Sequence, residues 1–314
     1  MITHIKIGDA LSELKSIGDD SIDCIITSPP YWALRDYGTE GQVGHEKNPD
    51  DYVSKLCDIF DEAGRVLKKT GTLWVNIGDT YGGRGLGKQG NTGQFHDRKV
   101  SKNRFRHTHV GISKSLSLIP ARFAIEMTRR GWILRNEIIW HKPNVMPASC
   151  KDRFTVDFEP VFFFVKSKDY TFNQLREPLA TSSIERVKYG WESKKANASS
   201  GISIKQMGTR FANPSGRNKR TVWKIPTSAS KLAHVAMFPE KLVEPMIEAG
   251  SPIGGTVLDP FVGSGTTGVV AKRLGRSFIG IELNVKYAEM AMKRINETVV
   301  QNSILLSQSK LSKQ

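Results

Sequence analysis

Short apolar runs alternate along the chain with longer stretches that carry one apolar face. Seven runs rich in β-branched and aromatic residues predict strands at His4–Gly8, Ile22–Thr27, Thr72–Ile77, Ile133–Trp140, Pro160–Val165, Thr256–Leu258 and Ser277–Ile281. Tyr52, Leu56, Ile59, Phe60, Ala63 and Leu67 share one face of a predicted helix over Tyr52–Leu67. Further helices are predicted at Pro120–Arg130, with Pro at its first position, and at Lys241–Ala249, Thr266–Leu274 and Val285–Val300. Strands alternating with helices predict an α/β fold around a mostly parallel sheet. No helical pattern separates Ile133–Trp140 from Pro160–Val165, so these two are expected to pair antiparallel at one sheet edge.

Two segments break this rhythm. Residues 82–114 are rich in Gly, Asn and His and hold eight basic side chains against Asp97 alone. Residues 168–220 hold eleven basic and four acidic residues, with Tyr170, Phe172, Tyr189, Trp191 and Phe211 among them. The first reads as a long functional loop and the second as a small inserted module. Together they carry almost all of the net charge of +15, leaving a nearly neutral body. Basic segments on a neutral body point to a polyanion surface, nucleic acid above all, over loops that are merely solvated. Residues 301–314 read as a polar tail.

Composition excludes several classes. At 314 residues and 39% hydrophobic, the chain can bury a full core, which argues against global disorder. The longest strongly apolar run, Val161–Val165, is far shorter than the ~18 residues of a membrane helix. The N-terminus has no apolar h-region, so no signal peptide is expected. Cys24, Cys57 and Cys150 are odd in number and widely spaced, which argues against a disulfide framework and a CxxC metal site, and suits a reducing cytoplasm.

Chemistry concentrates at two strand ends. Thr256–Leu258 runs into Asp259-Pro260-Phe261-Val262-Gly263-Ser264-Gly265-Thr266-Thr267-Gly268, a strand, a glycine loop and a helix start. The spacing matches GxGxxG, a weak signal alone, but an acid at the strand end suits a cationic ligand better than a pyrophosphate. The next strand ends at Glu282, an acid placed to accept from two ribose hydroxyls. One cationic amino-acid end and one ribose describe S-adenosylmethionine. The other constellation is Ile25-Ile26-Thr27-Ser28-Pro29-Pro30-Tyr31-Trp32. Two prolines stop strand pairing and fix the backbone, leaving a rigid set of acceptors beside an aromatic face. That set suits a planar group carrying an NH₂.

Thr27–Trp32 together with Asp259–Thr266 resembles the bacterial DNA amino-methyltransferases of restriction–modification systems, over almost the whole of residues 3–300. The motif order is that of the β group, and Ser28 in place of an acid resembles its cytosine-N4 type. The resemblance implies a seven-stranded, mostly parallel, Rossmann-like sheet that is circularly permuted and carries an inserted target-recognition region. It divides the chain into a catalytic half over 1–167, target recognition over 168–220, and a cofactor half over 221–300. It implies catalytic roles for Ser28, Pro29, Pro30 and Tyr31, with Tyr31 stacking on a flipped base. It implies S-adenosylmethionine contacts by Asp9, Phe238, Pro239, Asp259, Pro260, Phe261, Gly263, Gly265, Thr266, Thr267 and Glu282. In it Asp9 lies near the adenine and Asp259 takes the amino group. Arg98, Lys99, Lys102, Arg104 and Arg106 become DNA contacts. It implies duplex DNA as partner, no membrane, and a cognate restriction endonuclease acting on the same site; monomer and homodimer both stay open. The family's strand-end motif that helps hold the flipped base corresponds to Trp140-His141-Lys142-Pro143-Asn144.

Other readings fit less well. Gly82–Lys88 matches GxxxxGK, but Gln89 stands where a P-loop needs Ser or Thr. His96, His107 and His109 lack nearby acid or Cys partners for zinc. A cytosine-C5 enzyme would need a nucleophilic Cys, typically after Pro, and none of the three follows one. Adenine N6 remains the nearest rival target. RNA or protein methylation fits the motif order less well, and a non-catalytic DNA-binding module leaves Asp259, Glu282 and Ser28–Tyr31 unexplained.

Overall fold

A computed structural model describes residues 2–34, 41–82, 112–182, 184, 216–227 and 238–301. The strands are β1 (Thr3–Ile7), β2 (Ile22–Thr27), β3 (Leu67–Asn76), β4 (Ile133–His141), β5 (Phe158–Val165), β6 (Arg176–Glu177), β7 (Arg217–Asn218), β8 (Val222–Lys224), β9 (Thr256–Asp259) and β10 (Ser277–Glu282). The helices are α1 (Ala10–Leu14), α2 (Pro49–Val66), α3 (Ile119–Arg129), α4 (Glu240–Gly250), α5 (Thr266–Arg273) and α6 (Val285–Glu297).

Eight strands form one sheet in the order β1-β10-β9-β2-β3-β5-β4-β8. Only β5 runs antiparallel to its neighbours; every other pair is parallel. The sheet is therefore mostly parallel, but it has eight strands where seven were expected. The eighth, β8, adds parallel to β4 at Ile139–His141 and forms the edge. The antiparallel β4–β5 pair occurs as expected, yet β5 is interior, held between β3 and β4.

Helices cover both faces, which is why the central strands are apolar at nearly every position. On one face Ile25, Leu73, Val75, Phe162 and Phe164 join a core with Leu14, Leu56, Phe60 and Phe123 from α1, α2 and α3. Alternate residues point the other way. There Trp74 stacks on Phe163 with ring centroids 4.0 Å apart, and Gly250 of α4 packs on Cys24, Thr72 and Trp74. A Cβ at Gly250 would come within 2.4 Å of Thr72 Oγ1, so only glycine lets α4 sit this close.

Residues 173–220 form a separate compact unit. In its described part β6 and β7 pair antiparallel, and Glu177 accepts from Arg217 at 2.9 Å and Arg220 at 3.0 Å. No helix among the described residues is long and apolar enough to cross a membrane.

Candidate active site

β2 and β9 are parallel neighbours, pairing Cys24 with Val257 and Ile25 with Leu258. Their carboxyl ends are thus level, and ligands bind α/β sheets beyond those ends. Thr27 Oγ1, at the end of β2, donates to Asp259 Oδ1 at 2.6 Å across 232 residues of sequence. This buried bond joins the Ser28–Tyr31 loop to the glycine loop.

The glycine loop is shaped from three sides. Gly265 has φ +82° and stands before the first turn of α5, where a Cβ would lie 2.8 Å from Ala291 Cβ. Glu282 Oε2 accepts from Gly263 N at 2.8 Å, and its Oε1 accepts from Asn284 N at 2.9 Å. Arg294 donates to the Ser264 carbonyl from α6.

The loop walls a pocket of about 920 Å³, open solvent at its mouth included. Its lining runs from Gly8–Ala10 through Ser28 and Pro30 to residues 41–43, Phe238, Pro260–Ser264, Thr266, residues 281–284 and Tyr287. The wall holds two carboxylates, Asp9 and Glu282, and no Lys or Arg among its described residues. Aromatic rings at Phe238, Phe261 and Tyr287 complete it. An acidic wall with flat apolar surfaces favours a cationic ligand with a planar ring and opposes a pyrophosphate. Burial pushes the Glu282 carboxyl up, and the Asn284 and Gly263 backbone N–H groups work against that.

A model of the DNA methylase family matches residues 22–293. The chain belongs to this family. It is 41% identical over 300 residues to Type II methyltransferase M.SmaI of Serratia marcescens, covering 93% of this chain and 90% of that one. It is 40% identical to M.Cfr9I of Citrobacter freundii, with 92% and 86% covered. Among solved structures, PvuII DNA methyltransferase (cytosine-N4-specific) superposes with a TM-score of 0.61 at 21% identity, covering 96% of this chain and 89% of that one. TTHA0409 of Thermus thermophilus, solved with S-adenosyl-L-methionine, gives 0.57 at 24%, covering 96% and 99%. These two likenesses establish the fold of the methylase.

The methylase brings most of the expected pocket residues together. Asp9, Phe238, Pro260, Phe261, Gly263, Thr266 and Glu282 line the wall, and Ser28 and Pro30 line it too. Asp9 also caps α1, its Oδ1 accepting from Ser12 N and Ser12 Oγ at 3.0 Å each. Asp259 differs from expectation. It is 1% exposed, stands behind the wall, and accepts from Thr27, from Thr267 Oγ1 at 2.7 Å and from Phe261 N at 3.0 Å. Burial pushes its carboxyl up to about 6, against the lowering effect of the Thr267, Thr27 and Phe261 bonds. These bonds lock the loop. Thr267 shares that task, Gly265 sets the loop's turn, and Pro239 sits at the start of α4, all away from the lining. Arg98, Lys99, Lys102, Arg104 and Arg106 lie outside the described residues, as do His96, His107, His109 and most of Gly82–Lys88.

Sequence reasoning missed the wall residues Gln42, Val43, Asn284 and Tyr287. It also missed Asn76 and Glu159 beside the Ser-Pro-Pro loop. Tyr31 Oη lies 2.8 Å from Glu159 Oε2 and 3.1 Å from Asn76 Oδ1, with Ser28 Oγ at 3.5 Å from the same Asn76 oxygen. Polar side chains at the ends of apolar strands were the one available signal. Cys24 and Cys57 are buried, and burial pushes both thiols up to about 12, which makes them poor nucleophiles.

Proposed function

We propose that the chain methylates the exocyclic N4 amine of cytosine in duplex DNA at a specific site, using S-adenosylmethionine, as a restriction–modification methylase. The observation that carries this reading is the shared wall: Ser28 and Pro30 line the same pocket as the glycine loop and Glu282. S-adenosylmethionine, when bound there, supplies an electrophilic methyl group on a cationic sulfur.

Every other element of the mechanism belongs to the chain. The target amine is a poor nucleophile because its lone pair is delocalised into the base ring. Ser28 Oγ and the Pro29 carbonyl accept its two N–H bonds and favour a pyramidal nitrogen with a localised lone pair. Pro29 and Pro30 keep those acceptors rigid, so little reorganisation is needed when charge develops. Tyr31 stacks on the extruded base. The acidic wall, with Asp9 and Glu282, holds the cation and its ribose, while Asp259 and Thr267 hold the loop that shapes the pocket. No covalent enzyme intermediate is required.

Residues 98–106 supply phosphate contacts and the segment over 168–220 reads the target sequence, since phosphate contacts position and base contacts specify. Kinship with M.SmaI and M.Cfr9I supports a restriction–modification setting, with a cognate endonuclease sharing the site, and a cytoplasmic location.

Cells expressing the protein provide the test. Their DNA, digested to nucleosides and separated by mass spectrometry, should contain N4-methylcytosine, and Ser28→Ala should remove it while S-adenosylmethionine affinity holds. N6-methyladenine without N4-methylcytosine would reassign the target atom and leave the pocket and loop roles standing. Wild-type turnover in a folded Ser28→Ala protein would remove Ser28 from the chemistry.

A further inference from the structure

Lys142 closes the strand-end segment 140–142, and its contacts say what it does. Its ammonium is bound to Glu159 Oε1 and lies 4.3 Å above the centre of the Trp140 ring. Trp140 is itself fixed, 3% exposed, with Nε1 donating to the Ile225 carbonyl at 2.8 Å. Lys142 is therefore committed on two sides, and its side chain is only 14% exposed. It is poorly placed to reach for a base.

The chain of contacts continues inward. Trp140 and Glu159 are register partners on β4 and β5. One oxygen of Glu159 takes Lys142; the other takes the Tyr31 hydroxyl at 2.8 Å. A phenol has one proton, so that donation leaves Asn76 Oδ1, at 3.1 Å, as a second neighbour rather than a second acceptor of the same proton. Asn76 is oriented by its Nδ2 donating to the Pro160 carbonyl at 3.2 Å, next in chain to Glu159. The flank of the Tyr31 ring lies against Gly78, where a Cβ would come within 2.4 Å of Tyr31 Cε2. The ring is thus held at its hydroxyl end and along one flank. Burial first, and then the Glu159 charge, pushes the phenol well above its ordinary range, so the proton that makes this bond stays in place.

We propose that Glu159, held by Lys142, is a positioning residue for methyl transfer: its carboxylate fixes the Tyr31 ring through the phenol, so that the target base meets a preset aromatic face. This rests on the reading that residues 28–31 receive the base. Each Glu159 oxygen is engaged within the protein, one by Lys142 and the other by Tyr31, and the role assigned to it is positioning. The segment 140–142 then serves the base site at one remove, as the anchor of that carboxylate.

The test uses the full-length protein with its methylated sequence first established by sequencing. Glu159→Gln, Tyr31→Phe and the double variant are compared for kcat, for KM toward DNA, for S-adenosylmethionine affinity, and for fluorescence of 2-aminopurine placed beside the target cytosine. Misorientation of a positioning group costs between about tenfold and a hundredfold. Each single variant should lose kcat by that amount and show altered 2-aminopurine emission, with cofactor affinity and KM changed less than about threefold. The double variant should lose no more than the more damaging single, because both break one bond. Additive losses, or wild-type kcat in a folded Glu159→Gln, would overturn the proposal. If Glu159→Gln does not fold, Tyr31→Phe decides alone, and unchanged kcat there overturns it. Ser28→Ala separates the levels. Full activity in Ser28→Ala defeats the reading of the loop itself, whereas an inactive Ser28→Ala beside a fully active Glu159→Gln defeats only the role given to Glu159.

Discussion

Replacing Asp259 by Asn separates two roles that a strand-end acid can play. In the folded protein burial raises this carboxyl from 3.8 to about 6. A group that holds its proton more tightly when folded adds stability below its unfolded value, near pH 4, and loses that contribution as the pH rises through 6. Two pH units at about 1.4 kcal/mol each amount to about 3 kcal/mol. Asn carries no charge at any pH and is free of this slope. Its Oδ1 can keep the bonds from Thr27 and Phe261, and its Nδ2 can donate to Thr267 Oγ1, so near pH 4 it should match the wild type within about 1 kcal/mol. Urea unfolding at pH 4.5, 6 and 8 should show the Asn variant gaining on the wild type by about 2 kcal/mol across that range. Asp259→Ala is equally free of this slope but strands three buried donors, so it should lie roughly 3 kcal/mol or more below Asp259→Asn at every pH. Calorimetry at pH 8 should find S-adenosylmethionine affinity in Asp259→Asn within about fivefold of wild type, since the side chain is 1% exposed and stands behind the wall. A stability difference that does not change with pH would refute the buried-charge argument. A loss beyond about a hundredfold in cofactor affinity, in a folded Asn variant, would make the carboxylate a direct partner of the ligand after all.

Gly268→Ala would place a Cβ 2.4 Å from Ile295 Cδ1 and 2.7 Å from the Phe278 ring, forcing α5 away from α6 and β10. A loss of about 1–2 kcal/mol is expected, read as a lowered Tm. Neutralising Arg98, Lys99, Lys102, Arg104 and Arg106 together should weaken DNA binding and flatten its salt dependence, by about 0.9 in log–log slope for each phosphate left without its cation. Substitutions within 168–220 should instead change which sequence is methylated, read by sequencing the modified DNA. Equal losses on all sequences from both sets would contradict that division.

Local pattern was enough to find the elements that carry the site. β2 was legible to the residue, because the Cys24-Ile25-Ile26 run is apolar and buried and Pro29 and Pro30 must end it. The strand-loop-helix around Asp259 and the strand ending at Glu282 were equally plain. β8 was not, because three residues show no periodicity, and Val222–Lys224 is a strand only through its pairing with β4. The five-residue α1 escaped for the same reason, although Asp9 and Ser12 spell its cap. The side-chain direction of Asp259 was out of reach as well. An acid at a strand end can face a ligand or turn back into the protein. What turned it back was a pair of hydroxyls, Thr27 and Thr267, one of them 232 residues distant. Glu159 was hidden likewise, since its partners Tyr31 and Lys142 meet it only once β3, β4 and β5 are aligned.

The wide sequence separation of paired strands governs when this site can exist. β1 lies beside β10, where Ile2 N bonds Ser277 Oγ across 275 residues, and β2 lies beside β9. Pairings this distant carry a large loop-closure cost and form late. A ribosome delivers β1 and β2 first, yet their partners emerge only as residues 256–282 leave the exit tunnel. Until then the Ser28–Tyr31 loop has no glycine loop beside it and no pocket below it. The pocket therefore cannot assemble until residues 256–282 have been made. The strand edges of β1 and β2 spend that interval without β10 and β9, which exposes the unfinished chain to mispairing.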